Sequence, residues 1–80
     1  PMDFTAYWDS LCRSIQVEAD RYASLHPSGA ARFHNEAAAF CGRTAPPDEH
    51  ELTLRRIAFT ALLETWHHSH LAEMLGSVNH

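Results

Sequence analysis

The chain contains no lysine: its six basic residues are Arg13, Arg21, Arg32, Arg43, Arg55 and Arg56, set against ten acids for a formal charge of −4. An acidic, lysine-free chain lacks the clustered cations that release counterions from a nucleic-acid backbone, so no nucleic-acid partner is expected. The one basic doublet, Arg55-Arg56, follows Glu49 and Glu51 closely; only a patch joining it to Arg43 would favour nucleic acid. Apolar runs long enough to span a bilayer are missing too, as is a signal-peptide pattern. A soluble cytoplasmic chain without a membrane partner is therefore expected. Cysteine is scarce. Cys12 and Cys41 make no disulfide framework, and each sits in or beside an apolar stripe, where a thiol is more often a small buried hydrophobe. Strand alternation, repeats and low-complexity segments are also absent. Pro1 before Met2 reads as a remnant ahead of the native start.

What the sequence does hold is helix periodicity over one 80-residue domain, residues 1–80. A first helix is predicted from about residue 3, with Asp3 as N-cap, to about residue 25. Phe4, Tyr7, Trp8, Leu11, Ile15, Ala19, Tyr22 and Leu25 share one face of it at spacings of three and four. His26-Pro27 stops it, because the residue before a proline is pushed out of the helical region. A second, short helix is predicted at about 28–41, capped by Ser28 and closed by a left-handed Gly42. Phe33, Ala37, Phe40 and Cys41 form its apolar side, and the "AAAF" run suits close approach of another helix. The connector "GRTAPPD" is stiff rather than flexible. A third helix, about 48–75, opens on Asp48 with Glu51 three residues on, a capping-box variant, and ends at Gly76.

The third helix is long for so small a domain, and it carries two apolar arcs when placed at 100° per residue. Leu54, Ile57, Ala58, Ala61, Leu62, Ala72 and Leu75 form one. Leu52, Phe59, Leu63, Trp66 and His70 form the other, with Met74 at its edge, and Phe59–Leu63–Trp66–His70 has the four-three-four rhythm of a helix–helix seam. Leaving such side chains in water forgoes roughly 1.5–3 kcal/mol each. Either the first two helices clasp the third from both sides, or one face meets another chain. The expected arrangement is all-α, a three-helix domain assembled as a dimeric helical bundle. Its partner and dimer interface is assigned to Leu52, Phe59, Leu63, Trp66, His70 and Met74. A polar His70 in that seam would fix register at some cost in stability.

Chemistry is thin by comparison. Glu64 and His67 make a Glu-x-x-His pair like those of carboxylate-bridged metal bundles, and Glu64 with His68 can also face one ion. The ligand types match but the number does not, so Glu64, His67 and His68 stand as a metal alternative and no cofactor is expected. Cysteines in apolar stripes predict inert thiols. Glu18, the acid within the stripe of the first helix, calls for a partner such as Arg55 or Arg32. No motif ties the chain to a known family. The expected role is a small non-enzymatic regulatory protein that binds itself and another protein, such as a transcription regulator, and inhibits or modulates it.

Overall fold

The computed structural model describes residues 3–78, and the side chains of all of them except Ser77 and Val78; the reading of Pro1 and Met2 lies outside this range. Three helices in an up-down-up order make an all-α domain, with no strand among the described residues. Helix α1 is Thr5–Leu25, α2 is Ala30–Cys41 and α3 is Glu49–Val78, with a 3-10 turn at Pro27–Gly29 between the first two.

The helix ends follow local chemistry, in part differently from expectation. Asp3 is not the N-cap of α1, which starts at Thr5 after Phe4 without a side-chain cap; its Oδ1 instead accepts from the Thr5 backbone N–H at 2.9 Å and from the Thr5 hydroxyl at 2.6 Å. These bonds with the exposed Thr5 hold the Asp3 carboxyl below its usual range. Asp48 Oδ1 accepts from the Glu51 N–H at 2.8 Å, so the expected cap of α3 is formed. Ser28 is not a cap: it lies inside the 3-10 turn, and α2 starts after Gly29 without a side-chain cap. Gly42 does not take the left-handed conformation; its φ is −74°. Its position has a steric demand instead, because a Cβ there would lie 3.1 Å from the Ala38 carbonyl oxygen. Gly76 does not end α3, which continues to Val78. No proline follows to break it, and a single helical glycine costs only about 1 kcal/mol relative to alanine.

Small residues set the spacing of the helices. Ala19, Ala23 and Ala37 are buried between α1 and α2, which lie close along each other, as the alanine run suggested. Helix α3 stands further from α2, and aromatic rings bridge that gap. The upper layer stacks Tyr22 on Phe33 at 5.7 Å, with Trp66 set edge-on to Phe33 at 5.5 Å. The lower layer joins Trp8 to Phe40 at 5.1 Å and Phe40 to Phe59 at 6.1 Å. Ile15 is fully buried along the same stripe of α1. Tyr7 and Leu25, placed on that stripe by periodicity, are exposed at its ends.

The connector between α2 and α3 is clamped by Arg55, which is only 5 % exposed. Its guanidinium lies 4.7 Å from the centre of the Trp8 ring, donates from Nη1 to the Thr44 carbonyl, and donates from Nε to Glu51 at 3.2 Å. Trp8 Nε1 in turn donates to the Arg43 carbonyl at 3.3 Å. The two faces of the connector are thus tied to α1 and α3, which is how a loop with two prolines holds a fixed path.

The molecule is elongated. Its radius of gyration is 14.6 Å, against about 12 Å for a compact chain of this length. Its surface of 5449 Å² exceeds the roughly 4,900 Å² that its mass would give a compact monomer. The cause is α3, about 45 Å long at 1.5 Å per residue. Helix α1 ends level with His70, where His26 meets it, and α3 continues from there to Val78.

Candidate functional site

Which arc of α3 faces inward is settled by the packing. Trp66 is completely buried against Tyr22 and Phe33, with Nε1 donating to Glu36 at 3.5 Å. Leu52 is buried, and Phe59, Leu62 and Leu63 are partly buried against the same core. His70 shares a 2.8 Å hydrogen bond with His26 and lies edge-on to Tyr22. The arc expected as an interface at Leu52, Phe59, Leu63, Trp66 and His70 is thus packed within the single chain to differing degrees: Leu52 and Trp66 are buried, while Phe59, Leu63 and His70 are half-buried. Of that set Met74 alone is exposed, beyond the end of α1. Phe59 and Leu63 keep one edge in a groove of ≈ 490 Å³ between α1 and α3, lined also by Ser10, Arg13 and Val17.

The opposite arc remains uncovered. Leu54, Ile57, Leu71 and Leu75 are exposed, Ile57 at 61 % and Leu75 at 63 %. Ala58, Ala61 and Ala72 are exposed beside them. A hollow of ≈ 580 Å³ is set into this face where the side chains are small, lined by Thr53, Arg56, Ile57, Thr60, Ala61 and Glu64. Leu62 is the exception to the arc assigned from the sequence: it turns inward and packs on the core.

Glu64, His67 and His68 all lie on the exposed side of α3, and among the described residues no group of three or more His, Cys, Asp or Glu could hold a metal ion. Arg43 and Arg55 do not join Arg56 in a cationic patch. Both donate to the same oxygen of Glu51, at 3.2 Å each, while Arg56 lies 5.8 Å from the centre of the Tyr7 ring. Glu18 pairs with neither Arg55 nor Arg32; it accepts from Arg21 one turn on at 2.7 Å, and that bond raises the Arg21 guanidinium further above its ordinary range. Arg32 bonds Glu36 and Ser69 instead.

Cys12 and Cys41 are free and half-buried, with Cys41 Sγ directed at the Cys12 carbonyl oxygen at 3.8 Å. Burial first, and neighbouring Cys12 second, push the Cys41 thiol up to about 12. A thiol held protonated in this way is a poor nucleophile.

Periodicity alone missed two features. The His26–His70 pair joins residues 44 apart in sequence, and the Arg55 clamp puts a cation inside the core arc; the one advance signal for the clamp was Glu51 four residues before it. No described helix is long and apolar enough to cross a membrane. No family model, curated protein or solved structure matches the chain.

Proposed function

We propose that this chain is a non-enzymatic protein-interaction module of regulatory type, and that its binding element is the outer face of α3. The observation that carries the reading is the row of exposed Leu54, Ile57, Leu71 and Leu75 on a helix whose opposite face is already packed. A partner helix laid along that row would bury both apolar faces at once. By occupying the helix through which another protein pairs, such as a transcription regulator, the module would inhibit or modulate it. The shallow, open form of the hollow on this face and the protonated Cys41 thiol support binding over catalysis.

The experiment uses the whole chain and an Ile57→Glu/Leu71→Glu variant, each immobilised and exposed to extract of the native host. Both substitutions lie on solvent, so equal helical content is expected by circular dichroism. Proteins retained by the wild type and lost by the variant are the expected result. An identical retained set for both would overturn this assignment of the binding face.

A further inference from the structure

The outer face of α3 carries information about its own occupant. Residues 54, 57, 61, 64, 68, 71 and 75 recur at alternating intervals of three and four, the rhythm of a two-helix seam. They lie opposite the core arc of Phe59 and Trp66. Five are apolar, and the two in the middle, Glu64 and His68, are polar. A seam interrupted by polar residues is specific, because each must find a matching group or stay unpaired.

Laid antiparallel on a copy of itself, this seam matches in one register. Ile57 meets the second copy's Leu75, Ala61 meets its Leu71, and Glu64 meets its His68. The two-fold axis repeats each pair. Sliding one copy by a heptad in either direction places Glu64 against alanine or leucine. A parallel pair in register sets Glu64 against Glu64, which like-charge repulsion disfavours. The antiparallel match is therefore set by charge as well as by shape.

Two structural features agree with it independently. The hollow on this face is lined by Thr53 and Arg56 at one end and by Ile57, Thr60, Ala61 and Glu64 along the rest. The last four, at i, i+3, i+4 and i+7, have the spacing of a hole that receives one leucine knob from a facing helix, and the register delivers Leu71 of the second copy to it. The second feature is the length of α3 that continues beyond His70, the level at which α1 ends. In this pairing that length lies along the second copy's Leu54–Ala61 turns.

We infer that the chain pairs with a second copy of itself, α3 against α3 and antiparallel, with Glu64 accepting a hydrogen bond from the second copy's His68. This rests on the outer face being the binding surface and names its occupant. A heterologous partner then acts by exchanging with the second copy.

Sedimentation equilibrium of the purified full chain tests the pairing and needs no other protein. The expected species has the mass of two chains. Glu64→His sets imidazole against imidazole and is expected to weaken association about tenfold; Glu64→His/His68→Glu restores the pair and returns affinity to within about threefold of wild type. Direction is read separately in a Cys12→Ala/Cys41→Ala background. An Ile57→Cys chain mixed with a Leu75→Cys chain should form a disulfide-linked dimer under oxidised glutathione, and neither should do so alone. A monomer at every concentration overturns self-pairing while leaving a heterologous partner on this face open to the extract experiment. Cross-linking by Ile57→Cys alone overturns the antiparallel direction, and failure of the double exchange to restore affinity overturns the Glu64–His68 contact. The exchange keeps both native cysteines, so it stands even if the cysteine-free background folds poorly.

Discussion

The two apolar faces of α3 differ in the kind of apolar residue they hold. The inner face carries Phe59 and Trp66 beside Leu52, Leu62 and Leu63; the apolar residues of the outer face are leucine, isoleucine and alanine, with no Phe, Tyr or Trp among them. The difference matches the distances to be filled. Alanines let α1 and α2 close on each other, while α3 stands further from α2 and rings span that distance. An aliphatic-and-alanine face suits the opposite situation, a second helix at the roughly 8–10 Å of ordinary helix packing. Both faces shun water, and side-chain bulk is what tells them apart.

The largest break in that comparison comes from the inner face. Trp66→Ala removes the side chain that touches both Tyr22 and Phe33, and is expected to cost about 3–5 kcal/mol. Because a domain of this size has only about 4–12 kcal/mol in total, urea titration should find the variant partly or wholly unfolded at room temperature. The polar member of the inner face ranks next. Arg55→Ala leaves the Thr44 carbonyl without its donor and Glu51 without one of its two cations. A loss of about 1–3 kcal/mol is expected, with protease cleavage appearing first in the 42–48 connector.

The number of helices, their approximate ends and the two arcs of α3 were legible in the sequence because each depends on local spacing and capping. Asp48 and the His26-Pro27 stop follow from chemistry within a few residues. Which arc faces inward was not legible, since Leu63 and Ile57 are equivalent on a helical wheel until the neighbours are known. The rings held the available signal: Phe59 and Trp66 answer Trp8, Tyr22, Phe33 and Phe40 on the stripes of the other two helices. Gly42 and Gly76 misled for a different reason. Glycine permits a left-handed helix end without requiring one, and neither position has a positive φ. The His26–His70 pair needed the tertiary fold itself, because nothing within either helix points to the other.

A smaller effect separates the seam between α1 and α2 from both faces of α3. The folded state holds the Cys41 thiol at about 12, while the unfolded chain releases that proton near the ordinary thiol value of about 8.5. Below that ordinary value both states keep the proton and the stabilisation is fully present. As pH rises from there toward 12, the unfolded state loses the proton first, so stability falls with pH across that interval. Urea midpoints at pH 7.5, 9 and 10.5 should decline more steeply for wild type than for Cys41→Ala. Parallel slopes would show that the Cys41 site does not favour the protonated thiol.

The smallest expected effect on the single chain belongs to the outer face, and there a small effect is the informative result. Ile57→Gln exchanges an exposed apolar side chain for a polar one of similar length, and touches none of the core residues that hold α3 in place. Its free energy of unfolding at high dilution should lie within about 0.5 kcal/mol of wild type. Concentration changes the comparison. A fold stabilised by association has a midpoint that rises with protein concentration, because the second copy binds only the native chain. Wild-type Tm should therefore climb across a hundredfold concentration series, and the Ile57→Gln midpoint should stay flat. If the variant instead loses stability equally at every concentration, Ile57 contributes to the fold of the single chain, and the division of α3 into a core face and a pairing face fails at that residue.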